Sequence, residues 1–365
     1  MSHRDESNTT TEIAEKTYWV GNRPEGETLY SNSFLRRFGG DGEQRHFNLL
    51  VDPASSGDFQ VVLSKIADVL GEVSEVSAMV LNHQDPDLSS SVGVLLEEYV
   101  PDAPVLCTDD TGELIHNYHD VSPGQLVELE DYPKGLELPT GDVVIPVAVP
   151  FCHFRGATML YDPETRVLFS GDLFSSVTAP DADGLMADES DWAGMRAFHQ
   201  LYMPTRSAVV SAIERIEEFE PAVELIAPQH GRLIAGDNIS KFAERLASLP
   251  MGVDVADGDG PEEGAGSVLL RVVDTAMETV GKGATQEVLD DDSQRSITTA
   301  TVERIVRRLC ENANHRAANV IRYTAIEAAA NFDAPTPAVL PDETFVTATD
   351  DDAANTANAG FSAVK

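Results

Sequence analysis

Two hydrophobic periodicities alternate along the chain. Short apolar runs bounded by Gly, Pro, Asn and Asp predict strands, and longer runs with apolar residues every three or four positions predict helices. TLYSNSFLRRF and RHFNLLVDP read as a strand pair joined by GGDGEQ, followed by a helix over FQVVLSKIADVL. VSAMVLNH suits a buried strand, SVGVLLEEYV is helical, and VVIPVAVP, ATMLYD and RVLFSGD give three more strands, with DPET as the last turn. Residues 191–218 carry an amphipathic helix broken near Pro204; AVELIAPQHG is a strand ending in a loop, and ISKFAERLASL a helix.

The pattern changes after Pro250. MGVDVADGDGPEEGAGS is a Gly/Asp-rich linker, and SVLLRVVDTAMETV and TATVERIVRRL predict helices reaching roughly Ala330. This sets expected boundaries: a flexible arm at 1–16, a mixed α/β domain at 17–250, a linker at 251–265, a helical domain at 266–335 and a disordered tail at 336–365.

Charge narrows the partners. Against 25 Lys and Arg stand 62 Asp and Glu, a net charge of −37. An acidic surface repels nucleic acid and anionic membranes. It also suits high salt, where repulsion is screened, and its spread over the whole chain favours that origin. Cys107, Cys152 and Cys310 are too scattered for a disulfide framework or a thiolate zinc site. The polar start and the lack of an 18-residue apolar run lead to an expected cytoplasmic location.

The candidate chemistry sits where predicted strands end. In LNHQDPDLSS, an extended loop would turn His83, Asp85 and Asp87 to one side. The bland alternative is a solvated acidic loop. His153 follows a strand and could instead be a packed core histidine. Asp172 leaves VLFSG and could be a helix N-cap. His230 ends LIAPQHG, where Gly231 permits a sharp turn. His116, Tyr118, His119, His199 and Tyr202 are secondary candidates for proton transfer or for supporting contacts.

Strand-end His, Asp, Asp, His, Asp and His, in that order, resemble the metallo-β-lactamase superfamily. Within it the chain resembles the metal domain of flavodiiron oxygen and nitric oxide reductases and related di-iron oxygen-binding proteins, whose motif is H-x-E-x-D-H, a lone His, Gly-Asp and His-Gly. The resemblance spans about residues 28–250. It implies an αββα sandwich followed by a small helical C-terminal domain. It also implies two metal ions, one on His83, Asp85 and His153, the other on Asp87 and His230, with Asp172 between them. Two positions depart from the motif. Asp85 replaces Glu, and Leu88 stands where the family has a His of the second metal, so Leu88→His is expected to fill out an underfilled second subsite.

Zinc hydrolases of this fold place His at the third motif position. Three carboxylates with three imidazoles suit a harder, valence-changing ion, so iron is expected, with zinc or manganese as alternatives. The expected function is a di-iron oxidoreductase acting on O2 or NO. No flavodoxin-type phosphate loop follows Gly252, so an FMN domain is not expected and the electron donor would be external, a rubredoxin or a flavoprotein. The second reading is a non-catalytic oxygen or redox sensor signalling through the C-terminal helices; the third is a zinc-dependent hydrolase. A homo-oligomer is expected. Arg304, Arg307, Arg308, Arg316 and Arg322 make one locally basic stretch that could pass for a DNA-recognition helix. Val302, Ile305, Val306 and Leu309 make the same segment a packing helix.

Overall fold

The computed structural model describes residues 9–40, 46–117, 119, 121–256, 264–292 and 295–341. Two sheets face each other. The first runs in chain order through β1 (Thr11–Ala14), β2 (Thr17–Trp19), β3 (Phe34–Phe38), β4 (Phe47–Val51), β5 (Ala78–Val80), β6 (Val105–Cys107) and β7 (Leu126–Glu128). The second comprises β8 (Leu136–Glu137), β9 (Val143–Ala148), β10 (Thr158–Asp162), β11 (Val167–Gly171), β12 (Leu225–Pro228) and β13 (Ile234–Ala235), again in chain order.

Strands β10 and β11 are buried at every position. An uninterrupted apolar run requires such cover on both faces. Between the sheets, Phe34, Phe38, Leu49 and Val80 meet Leu160 and Phe169, with the Phe34 and Phe169 rings 5.4 Å apart. The outer face of the first sheet is covered by Val62 and Ile66 of the helix Phe59–Leu70. That of the second is covered by Phe198, Val209 and Phe242 from the helices Trp192–Tyr202, Arg206–Glu217 and Asp237–Ser248. The layers are therefore αββα, as expected.

The break near Pro204 is real. Met203 is extended, as a residue before proline prefers, and Thr205 Oγ1 caps the next helix by accepting from the Ala208 amide. Two expectations need correcting at the edges. Thr11–Ala14 is a strand paired with β2 rather than part of a loose arm, because Thr-Glu-Ile-Ala finds an edge partner. Val253–Ala256 adds a short helix to the linker. Residues 1–8 of the arm, 257–263 of the linker and 342–365 of the tail lie outside the described residues. The start of the expected tail is ordered: Ala338 N donates to Glu303, and Val339 is buried.

Among the described residues the C-terminal region contains four helices, Ala265–Thr279, Lys282–Asp292, Thr299–Glu311 and His315–Asn331, around their own core. Val302, Ile305, Val306 and Leu309 face that core. Asp292 gathers Arg295, Arg304 and Arg308, and Asp291 takes Arg308 as well. The packing reading of this segment is the one the structure supports. The last helix also reaches the sandwich, where Tyr323 and Ile326 join the core beneath Trp192–Tyr202. Among the described residues no helix is long and apolar enough to cross a membrane.

Candidate metal centre

The site forms where strands of both sheets end. β4 and β5 run parallel, as do β11 and β12, and β9 runs with β11 because both are antiparallel to β10. Their C-terminal ends carry Asp52, His83, His153, Asp172 and His230 to one rim, the usual place for ligands in α/β sheets. The expected extended loop after β5 is instead a short approach into a helical turn, Pro86–Ser89, with Asp85 at its N-cap and Pro86 at the first helical position. His83 and Asp85 therefore meet one set of partners, and Asp87, on the turn, meets another.

All six expected residues converge. Asp172 Oδ2 lies 2.7 Å from His153 Nε2 and 3.5 Å from His83 Nε2. Asp85 Oδ2 lies 3.4 and 3.5 Å from the same two nitrogens. These four residues present ligand atoms that all lie within 4.8 Å of one another. The other oxygen of Asp172 lies 3.6 Å from His230 Nε2, and that nitrogen lies 3.1 Å from Asp87 Oδ2. Asp172 thus faces both the His83–Asp85–His153 group and the Asp87–His230 pair. Buried polar atoms ordinarily find partners, yet both ring nitrogens of His83 and Asp87 Oδ1 are buried without a well-formed hydrogen bond. Unpartnered ligand atoms converging with three carboxylates and three imidazoles fit a pair of cations.

Several residues that sequence reasoning missed hold these groups in place. Asp52, buried after β4, accepts from the Asn82 amide and side chain and so fixes the approach to His83. Burial pushes its carboxyl up to about 7. Its signal was the same strand-exit position, VDP, that marked the others. The Tyr30 carbonyl accepts from His230 Nδ1 at 3.0 Å, which turns Nε2 toward the acids. Ser175 Oγ accepts from the His230 amide. Gly231 has φ +84°, and a Cβ there would come within 2.2 Å of Ser176 Oγ, so the turn after His230 does require glycine.

The secondary candidates divide. His199 donates from Nδ1 to the Met195 carbonyl and accepts at Nε2 from the Phe174 amide. Burial drives it down to about 4, so it is a neutral strut for the loop after Asp172. Tyr202 stacks on Phe198 and stands 5.6 Å from the His153 ring, at the mouth of the site. His116 is exposed at the end of the helix Asp109–Ile115, and His119 is half-buried beside Gly93. Tyr118 lies outside the described residues.

Burial alone would disfavour charge on His83 and His153. Asp172 and Asp85 outweigh it and hold both imidazoles above their ordinary range, His153 at about 10. Asp172 is correspondingly held low, against its own burial, by His83 and His153. In the cation-free chain at neutral pH the His153 imidazole therefore carries a proton that a metal ion must displace. Metal uptake should release the His153 proton at pH 7, and apparent affinity should strengthen as pH rises toward the His153 value of about 10. Calorimetric titration in buffers of different ionisation enthalpy measures this directly; proton-independent uptake would contradict it.

Residues 29–231, which include all six of these side chains, match the family described as ODP family beta lactamase. The chain belongs to that family. Among curated relatives, the anaerobic nitric oxide reductase flavorubredoxin of Vibrio vulnificus is 26% identical over 181 residues, covering 48% of this chain and 35% of that protein. Its Salmonella arizonae counterpart is 25% identical over 251 residues, covering 64% and 49%. The chain thus spans half or less of the length of these relatives. Among solved structures, the apo state of the chemotaxis sensor ODP from T. denticola is 23% identical with a TM-score of 0.57, covering 68% of this chain and 97% of that one. The rubredoxin oxygen:oxidoreductase of Desulfovibrio gigas is 15% identical with a TM-score of 0.57, covering 87% and 75%. These structural likenesses establish that the ODP-family chain has the metallo-β-lactamase fold.

Proposed function

We propose that this ODP-family protein carries a di-iron centre that binds O2 or NO and reduces it with electrons from an external donor, a rubredoxin or a flavoprotein. The observation that carries the reading is Asp172, one carboxylate shared between two half-sites. In this reading His83, Asp85 and His153 hold one ion, Asp87 and His230 hold the other, and Asp172 spans both. Three carboxylates favour a hard ion that changes valence over the imidazole-rich surroundings suited to zinc. The bound pair would supply two electrons to a diatomic ligand. The chain's own contribution is to orient and to shield. Phe154 lies 4.2 Å from the His153 ring and 5.8 Å from His83, Phe198 lies 5.4 Å from His230, and Tyr202 closes the same side.

A second reading, an oxygen or redox sensor, is favoured by one set of contacts. The last helix touches the segment that leads into Tyr30, which supports His230. His315 pairs with Glu27, and Asn319 Nδ2 donates to the Gly26 carbonyl, just before Tyr30. Beyond that helix, the Ala334 carbonyl and Thr336 hydroxyl accept from Arg196, and Thr336 donates to Gln200, on the helix that carries Phe198 and His199. Among the described residues the region after the sandwich is helical, which fits a reporting layer as well as an enzyme with an external donor.

Oxygen consumption by the iron-loaded full chain with a supplied reductant separates the two. Sustained turnover is the expected result. Uptake that stops at one equivalent per site would replace the enzyme with the sensor. Two zinc ions and no iron in protein from its native host would overturn both readings.

A further inference from the structure

Asp87 is held more tightly than a ligand in a solvated acidic loop would be. Its Oδ2 accepts from Gln229 Nε2 at 2.7 Å and from Ser31 Oγ at 2.9 Å, and all three side chains are buried. The two donors are themselves fixed. Gln229 sits at the end of β12, its amide donating to the Gly171 carbonyl and its carbonyl accepting from the Asn32 amide at 2.6 Å. Ser31 forms a bridge with His230, opposite it across an antiparallel contact. The clamp thus ties Asp87 to the residue before His230 and to the residue paired opposite it. Oδ2 is engaged by Gln229 and Ser31 and stands 3.1 Å from His230 Nε2, while Oδ1 is buried without a hydrogen bond and is the oxygen left to take a cation.

We infer that Gln229, with Ser31, is the positioning residue that sets the affinity of the half-site formed by Asp87, Asp172 and His230. The inference rests on the two-metal reading and deepens it. Leu88 supplies nothing to this half-site, so its protein donors are few and a swinging Asp87 would cost it disproportionately. Two neutral hydrogen bonds to one oxygen remove that freedom without adding charge. They act on one half-site only, since Asp85, His83 and His153 make no contact with the clamp in the described structure. Losing a hydrogen-bond partner of a metal-ligating carboxylate typically weakens metal binding by about 10–100-fold.

The test is anaerobic titration of the metal-free full chain with Co2+, followed by visible absorption and by magnetic coupling between the ions. Wild type is expected to bind two equivalents. Gln229→Leu should bind one equivalent as wild type does and the second about 10–100-fold more weakly, with coupling lost at stoichiometric metal. Ser31→Ala, a smaller perturbation should Gln229→Leu fold poorly, should show the same selective loss to a lesser degree, and Ser31→Thr, which keeps the hydroxyl, should restore it. Equal weakening of both equivalents, or no weakening of either, in a folded Ser31→Ala overturns the inference while leaving the metal pair intact. Fewer than two equivalents in wild type overturns the two-metal reading itself and this inference with it.

Discussion

On the two-metal reading, Asp172→Asn should abolish the metal pair. The substitution preserves shape but removes the one carboxylate that faces both half-sites, at 2.7 Å from His153 and 3.6 Å from His230. Two cations held close together repel, and a shared anion offsets that repulsion as well as ligating each of them. Metal content is expected to fall from two ions to one or none, with affinity reduced well beyond the roughly 10–100-fold typical of a supporting contact. Asp85→Asn is the control. It touches only the His83 and His153 side, so it should leave the second half-site largely intact. Elemental analysis and metal titration of both variants decide this, and an Asp172→Asn protein that still holds two ions would contradict the shared role.

The same substitution has a consequence without metal, and its sign follows from His153. Its folded-state value of about 10 lies above the ordinary histidine value, so this imidazole contributes stability fully below the ordinary value, and the contribution is lost as pH rises through about 10. Asn at 172 removes one of the two carboxylates that produce the shift. Breaking a buried charge pair costs about 3–5 kcal/mol when the other charge stays, but here His153 can release its proton, so that range is a ceiling. Metal-free Asp172→Asn should be most destabilised relative to wild type in mildly acidic buffer, with the difference narrowing as pH rises through about 10. Urea unfolding across that range, paired with histidine NMR titration, reads both effects.

The six side chains could be found in the sequence for a physical reason. Polar residues at the ends of apolar strands, where the sheet stops covering the chain, have few packing explanations, and Asp172 and His230 are of that kind, with His83 just beyond β5. What surrounds them was harder to see. Asp52 occupies the same kind of position, but a single Asp before Pro reads as a turn. Ser31 and Gln229 bond Asp87 across 56 and 142 residues of sequence, separations that no local pattern reports. The helix Lys282–Asp292 went unread because its apolar residues are too sparse to mark a face; Thr285 and Val288 are buried only through contact with the neighbouring helices. The strand at Thr11–Ala14 lacked a long apolar run, and only its pairing with β2 makes it one.

Leu88 shows where reasoning by motif fails and geometry corrects it. Read as a missing ligand, Leu88→His should add a donor to the second half-site. In the structure, adjacent residues of the turn Pro86–Ser89 point about 100° apart, as 3.6 residues per turn requires. Asp87 faces Gln229 and His230, whereas Leu88 is fully buried in the cluster with Leu50, Leu81 and Val92. An imidazole there would lose the leucine's packing and bury two ring nitrogens among aliphatic groups. Leucine replacement in a core costs about 2–5 kcal/mol, and an unpaired buried polar group about 1–3 kcal/mol more. Leu88→His is therefore expected to lower stability by about 3–8 kcal/mol, and to leave metal stoichiometry in the surviving folded fraction no higher than in wild type. Leu88→Met, which conserves volume and polarity, should cost less than about 1.5 kcal/mol. Thermal unfolding and metal content of the two variants settle the point: a Leu88→His protein that is as stable as wild type and binds its second ion more tightly would show that this turn can rotate, and that position 88 belongs to the site after all.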